Sequence, residues 1–532
     1  MKIVVFSPYS YIKEWRLMDL YLANVLNDKK NEIIFLECNG YQKTCVAMLS
    51  AGLSWDSPKN KKNEICSDCK NFTRITSNVK NTVHLKLDSF LAHGDDIISS
   101  FLQKNKINQN FKFQDIKIGE AALYSLLIEN QYTDFSEIRK NKLDDYVQEL
   151  QTGIKTVLAG TKFFQLYKPE ILLLHNGLYA TGNILAQLAK THNCDVYCHI
   201  NGSDRQSFNS SIRIGKGNYY QQISHLKKKF RKPIKVSFDE KTTLAGHLSF
   251  LFFGKSDFRY STDYKGKLPA WFERKIQGKK IALLPLSSYD ELVGAHILGY
   301  KTTNSHKHIF KNQLDWVLYT IDILKKVKNL FLIIRPHPRE FPNPRTRTEK
   351  PTNHVLNLLS KISTKINENV FINLPQDNIS IYDIFSKTSL VINGWSTAGE
   401  EAALLGKSVI TSFPFFANYP KALTFFPKTK ANYKKYILRS FHNECAKKSL
   451  KSRFEAWRAF SISRCEEPTP NFQEILKKFH KPDNWCIKLF VKTAPKTAFK
   501  HLIVSCLKKN SQSKIPKLLE QNKNFLFEIE SQ

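Results

Sequence analysis

A chain of 532 residues exceeds what one compact core organises, so roughly two to four domains are expected. Apolar residues make up 42% of it and aromatics 12%, which excludes a disordered chain, and no run reaches the roughly 18 to 20 consecutive apolar residues of a membrane span. The formal charge of +34 asks for an anionic partner: nucleic acid, phospholipid headgroups or a phosphorylated substrate.

The opening "MKIVVFSPYSYIKEW" lacks the zones of a signal peptide, so a cytoplasmic protein is expected. "KIVVFSP" reads as a buried strand, "EWRLMDLYLANVLNDKK" as a helix and "NEIIFLECNG" as a second strand, the order that starts a parallel sheet. Residues 70 to 165 read as mostly helical. The strand-helix-strand order then returns at "KPEILLLHNGLYATGNILAQLAKTHNCDVYCHI", with a turn at Asn176-Gly177. Residues 205 to 278 show no clear period. A second alternating system follows, with strands at "KKIALLPLSS", "LFLIIRPHP", "NVFINLP", "SLVING" and "KSVITSF" separated by helical stretches. Two such runs predict two doubly wound Rossmann-like α/β domains facing a cleft, 1–240 with a helical insertion and 241–425, and the lysine-rich remainder, 426–532, reads as a helical extension.

Ten cysteines are too few for a disulfide scaffold of this size, which argues for a reducing compartment. Cys38, Cys45, Cys66 and Cys69 cluster in sequence. The "CSDC" pair suits half of a tetrahedral zinc site, but the Cys38–Cys45 gap is wider than a usual knuckle, so structural zinc and plain reduced thiols both stand.

Ligands of doubly wound sheets sit where loops leave the carboxyl ends of strands. In the second system "SSYDE" (287–291), "RPHPRE" (335–340), "QDNIS" (376–380) and "NGWSTAGEE" (393–401) all leave strands at that end. Pro336 and Pro338 stiffen the chain around His337, so its imidazole can be aimed with little entropy left to lose, and it can stabilise charge developing on a departing nucleotide phosphate. Arg335 and Arg339 would keep the site positive. Ser396 and Thr397 stand where a helix starts, and that helix start, with its hydroxyls, suits a phosphate; an ordinary capping box would use the same residues. The donor-binding set read from these loops is Arg335, Arg339, Ser287, Ser288, Ser380, Ser396, Thr397, Gly399, Glu400 and Glu401, with one of the two glutamates accepting from ribose hydroxyls. For a base that deprotonates the attacking hydroxyl the candidates are Asp290, Glu291 and Asp204, each equally able to cap its own loop. "SPYSYIKEWR" (7–16), "HNG" (175–177) and "INGSDR" (200–205) follow strands of the first system and are the places to meet an acceptor.

Over about 279–420, "RPHPR" after a strand and "WSTAGEEAALLGKSVI" resemble the GT-B-fold glycosyltransferases of bacterial capsule and surface polysaccharide synthesis, in particular the His-Pro group with Kdo transferases and bacterial sialyltransferases. Over 1–205 the likeness is one of layout. The resemblance implies that His337, with Ser396 and Thr397, holds the phosphate of a CMP-sugar, and that no metal or other cofactor is required for catalysis. The acidic motif that serves as base in sialyltransferases has no counterpart here. The same elements occur in CDP-glycerol glycerophosphotransferases, which move phosphoglycerol instead.

The expected partners are a nucleotide-sugar donor, a glycan or lipid-linked acceptor and, through the basic surface, the anionic inner face of a membrane. A nucleic-acid-binding protein is the alternative of another class, but no helix-turn-helix, RNA-recognition motif or zinc-finger spacing accompanies the charge.

Overall fold

The structure, a computed structural model, describes the chain except residues 29, 78, 80, 92–94, 204–208, 231–233, 254–261, 300–308, 344–348, 413–418, 421–422, 442–443, 481–506, 508–511 and 530–532. It forms two compact units, one from residues 1–130, 134–222 and 462–532, the other from 131–133 and 223–461. Residues 426–532 therefore do not stand apart as one extension: the first part packs with the second unit and the rest returns to the first.

Among the described residues the first unit is built on seven strands: β1 (Lys2–Phe6), β2 (Glu32–Glu37), β3 (Thr82–Lys86), β4 (Ile171–His175), β5 (Asp195–Asn201), β6 (Ser211–Lys216) and a late strand, Glu466–Pro468. The late strand pairs antiparallel with β6, β6 pairs antiparallel with β5, and from there the sheet runs parallel in the order β5-β4-β1-β2-β3. β1 is central, with Val4 opposite both Ile34 and Leu172, and such strands, covered on both faces, read as unbroken apolar runs. The helix Lys13–Leu26 lays Leu17, Tyr21 and Leu22 on Ile3, Val5 and Phe35, all without solvent exposure.

β3, β6 and the late strand were not expected. "SIRIGK" does alternate Ile212 and Ile214 with Arg213, but "EEP" carries no apolar residue. Its place is decided by a partner 253 residues away: Arg213 Nη2 meets Glu466 Oε1 at 2.9 Å, both side chains buried.

A second buried ion pair ties the helix Lys13–Leu26 to the end of β2. Arg16 Nη2 lies 2.9 Å from Glu37 Oε1, and Glu37 also takes hydrogen bonds from His84 and Lys86 on β3. Burial alone would raise the Glu37 pKa, but these three partners outweigh it and hold the carboxyl at about 2. A depressed folded-state pKa gives stability that is present above the unfolded value, about 4.3, and lost as pH falls through 2. Acid melts of the protein are therefore expected to lose roughly 3 kcal/mol over that window from this group, and Glu37→Gln should remove that part of the pH dependence.

The second unit carries β7 (Lys280–Pro285), β8 (Leu330–Arg335), β9 (Val370–Ile372), β10 (Thr388–Asn393) and β11 (Ser408–Thr411); in chain order Glu466–Pro468 is thus β12. All five are parallel, in the order β11-β10-β7-β8-β9. Ala282, Leu284, Leu332, Ile334, Leu390 and Ile392 fill one face of the sheet beside Trp316 and Ile321 of the helix Gln313–Leu324. That helix starts where Asn312 accepts from Asp315 N, a side-chain cap. Both sheets are thus doubly wound and Rossmann-like, as expected. Their orders reverse between β1 and β4 in the first unit and between β7 and β10 in the second, which places a topological switch point at the carboxyl end of each. Among the described residues no helix is long and apolar enough to cross a membrane.

Candidate functional site

The loops after β10, β7 and β8 leave neighbouring strands at the switch point of the second sheet and are bonded into one frame. Trp395 N donates to Ser287 Oγ at 3.0 Å, which joins the β10 loop to the β7 loop. Leu286 N donates to Arg335 O at 2.8 Å and Tyr289 N to Glu340 Oε1 at 3.1 Å, which join the β7 loop to the β8 loop. With strands about 4.8 Å apart, the ends of β8 and β10 on either side of β7 lie roughly 10 Å from each other. The loops that carry His337 and Ser396-Thr397 therefore leave the sheet on either side of β7.

His337 precedes a single 3₁₀ turn, Pro338–Glu340, and its Nδ1 accepts from Arg339 N at 3.2 Å. In the neutral imidazole that bond assigns the proton to Nε2, which makes Nε2 a donor. The ring is half-buried. Ser396 is half-buried and Thr397 exposed; Ser396 Oγ accepts from Ala398 N at 3.2 Å, and a hydroxyl that accepts can still donate.

Several residues expected to touch the ligand instead build the frame. Asp290 is buried with both carboxylate oxygens engaged, one by Ser288 Oγ and the other by Arg339 Nη2 at 2.8 Å, so it positions Arg339 and is not open to act as base. Burial raises its pKa, while Arg339 works in the opposite direction. Glu291 is partly exposed and lies 3.6 Å from Arg339 Nη1. Arg339 is thus compensated rather than a free source of positive field. Arg335 is buried under β9 and its loop, donating to Asn373 Oδ1 and, at 2.9 Å, to Ile379 O; burial lowers its pKa to about 10, so it still carries charge, but it serves the loop.

Ser288 and Ser380 are fully buried, Ser380 as the cap of the helix Ile381–Lys387, accepting from Tyr382 N. Gly399 is a packing position: a Cβ there would come within 2.3 Å of Asn393 Nδ2 and 2.7 Å of Tyr419 Oη, so only glycine lets the helix Ala398–Leu404 meet the end of β10. Glu400 is buried, 4.0 Å from Arg458 Nη1, and Glu401 accepts from the Tyr382 hydroxyl at 3.2 Å, so neither is placed as an open ribose acceptor. Asp204 lies outside the described residues. Sequence reasoning missed Asn393, whose Nδ2 donates to Ser396 O at 2.8 Å and so shapes the loop; the only signal was its place at a strand exit.

Glu340, the last residue of "RPHPRE", is pushed up to about 8, first by burial and then by Asp290, against the donors Tyr289 N and Thr352 Oγ1. A carboxyl raised this way is protonated in the folded state and ionised in the unfolded state between about 4.3 and 8, so stability falls as pH rises across that window. Glu340→Gln, neutral and isosteric, is expected to stabilise the protein by on the order of 2 kcal/mol at pH 8 and to change little at pH 4, measured by thermal melts at both pH values.

In the first unit the four clustered cysteines are free thiols. Cys38 Sγ accepts from Gly40 N at 3.2 Å, and Cys69 Sγ donates to Pro8 O at 3.7 Å. Burial pushes Cys38 up to about 12 and raises the other three, so all four are protonated. Among the described residues no three His, Cys, Asp or Glu side chains converge as a metal would require. The zinc expectation gains no support from this arrangement.

No family model matches the chain, and no curated protein matches it. Solved structures similar to it include a Thermosulfurimonas dismutans KpsC β-Kdo 2,4 transferase, at 14% identity over 63% of this chain and 87% of the other, with a TM-score of 0.36. They also include a UDP-GlcNAc 2-epimerase from Neisseria meningitidis bound to UDP-GlcNAc, at 12% identity over 86% and 98%, with a TM-score of 0.29. A third is the N-terminal domain of Candida albicans trehalose-6-phosphate phosphatase, at 11% identity over 87% and 96%, with a TM-score of 0.33. Likeness of this size carries no argument about activity, and the fold is read from the chain's own two sheets.

Proposed function

We propose that the protein is a metal-independent glycosyltransferase that moves a sugar from a nucleotide-activated donor, CMP-linked, to a surface polysaccharide or lipid-linked glycan. The observation that carries this reading is the bonded frame at the switch point of the second sheet, where His337 and the Ser396-Thr397 pair flank β7 from either side. His337 Nε2 donates to an oxygen of the donor phosphate, and the hydroxyls of Ser396 and Thr397 donate from the opposite side. As the bond from the anomeric carbon to the phosphate oxygen breaks, its electron pair stays on the phosphate, and these donors stabilise the added charge. The proline-locked turn costs little to order, because Pro336 and Pro338 remove the freedom that binding would otherwise have to freeze. The charge of +34 supports a peripheral position on an anionic membrane surface near a lipid-linked acceptor.

The test is thermal protection by CMP, CDP, UDP and GDP. Cytidine nucleotides are expected to raise the melting temperature in a saturable way, by the ordinary linkage of a ligand that binds only the folded state. Equal indifference to all four, with steep salt-dependent binding to DNA or RNA, would replace this reading by a nucleic-acid-binding one.

A further inference from the structure

Residues 205–278 show no clear period in the sequence, yet a helix of 16 residues, Phe238–Phe253, stands among them in the second unit. Its start is capped reciprocally: Glu240 Oε2 accepts from Ser237 N at 2.8 Å and Ser237 Oγ accepts from Glu240 N at 3.2 Å. Leu244, His247 and Leu251 bury one face of it. The opposite face carries Phe238, Thr242, Ala245, Ser249 and Phe253, all exposed, at a spacing that keeps them within roughly 80° of one another around the axis. From Thr242 to Phe253 the helix has no Lys, Arg, Asp or Glu.

A surface helix ordinarily turns charge to water. This one turns phenyl rings: among the described residues Phe238 and Phe253 are the two most exposed large apolar side chains, at 82% and 75%. Apolar residues scattered singly over a surface are ordinary, but these two end one uncharged stripe, about 22 Å apart along the axis. Thr242, Ala245 and Ser249 between them are short, so nothing on the stripe is as tall as the rings. Cations surround it. Lys227, Lys228, Lys229, Arg231, Lys232 and Lys235 precede the helix in sequence, and Lys228, Lys235 and Lys241 are exposed. At the far end the Phe253 ring lies 5.8 Å from that of Tyr264, which the exposed Lys265 and Lys267 follow. Over 227–267 the acids are Asp239, Glu240, Asp257 and Asp263, outnumbered by the cations.

An aromatic stripe with a cationic rim suits an anionic bilayer surface: the rings enter the boundary between headgroups and acyl chains while the lysines stay among the headgroups. A second copy of this chain fits less well, since the stripe offers roughly 200 Å² against the roughly 800 Å² that each partner gives to a stable interface. Nucleic acid would be met by cations on the stripe itself, and it has none. We propose that the helix Phe238–Phe253 docks the protein on an anionic membrane surface, with Phe238 and Phe253 inserted at the headgroup boundary. The assignment rests on the membrane position read above from the net charge and names the element that makes the contact. Within the same unit the Phe252 ring packs 5.0 Å from that of Tyr382, whose hydroxyl donates to Glu401 Oε2 at 3.2 Å. Glu401 belongs to the helix Ala398–Leu404, so the docked face is tied to the helix that Ser396-Thr397 open.

The experiment is co-sedimentation of the full chain with vesicles of phosphatidylcholine alone and of phosphatidylcholine mixed with phosphatidylglycerol. Wild type is expected to bind the anionic vesicles and not the neutral ones. The double variant Phe238→Ser with Phe253→Ser should weaken that binding at least tenfold with its melting temperature kept, since neither ring is part of the core. A comparison variant, Ile97→Ser with Leu166→Ser, removes two other exposed apolar side chains and should bind as wild type does. A double phenylalanine variant that binds as tightly as wild type, or an equal loss in the comparison variant, overturns the assignment of this helix and leaves the membrane position standing. Wild-type protein that ignores anionic vesicles overturns the membrane position and the assignment together. A wild-type dimer that the phenylalanine variant turns into a monomer in the absence of vesicles makes the face a self-contact and overturns the assignment as well.

Discussion

Replacing His337 by alanine is expected to reduce sugar transfer by roughly 10²-fold or more while the protein stays folded. Nδ1 accepts from Arg339 N at 3.2 Å, which holds the ring in place and leaves the proton of the neutral imidazole on Nε2. The alanine variant also loses the cap of the Pro338–Glu340 turn, which is worth about 1 kcal/mol and is small beside the expected loss in rate. The effect should fall on kcat more than on donor affinity, because the bond strengthens only as the phosphate gains charge. His337→Gln, which keeps an N–H near the same place, should lose less. Turnover retained in His337→Ala, with its melting temperature unchanged, would remove this histidine from the mechanism.

Asp290→Ala is expected to destabilise the second unit by about 3–5 kcal/mol, because it leaves the Arg339 guanidinium buried without its nearest counter-charge. Glu291, at 3.6 Å and partly exposed, offsets only part of that loss. Denaturant melts of three proteins decide the matter: Asp290→Ala, Arg339→Met, and the double variant Asp290→Leu with Arg339→Met. The double variant should recover much of the stability, since two apolar side chains in place of a buried ion pair leave no charge stranded. A catalytic base would behave in the opposite way: Asp290→Asn would abolish turnover while leaving stability nearly intact. That outcome would return Asp290 to the role its place in "SSYDE" suggested.

Much of the candidate site was legible because its signals are local. Pro-His-Pro after an apolar run states a stiff turn at a strand exit, and Asn393-Gly394 followed by Ser396-Thr397 and two glutamates states a helix start. What those signals do not state is direction. Arg335 and Arg339 read as cations facing a ligand, yet Arg335 turns under β9 and Arg339 turns to Asp290, since a buried carboxylate or row of carbonyls competes for a guanidinium as strongly as a phosphate would. Gly399 read as part of the donor-binding set, and what approaches it closely is Asn393 and Tyr419. At the other switch point, "HNG" and "SPYSYIKEWR" were recognised as strand exits, but no feature of either segment reveals that His175 and Trp15 stack.

The sequence by itself determined the parallel second sheet and the β1, β2, β4 and β5 part of the first, since strands buried on both faces must be apolar runs and the helices between them must carry a 3.6-residue stripe. It also determined which loops leave the carboxyl ends. Only the tertiary structure decided that the chain's last segment closes back on the first unit through the Arg213–Glu466 pair, and which charged side chains face one another rather than a ligand. The physical reason is range: hydrophobic periodicity is written within a dozen neighbouring residues, whereas the partner of a buried charge can lie hundreds of residues away and leaves no mark beside it.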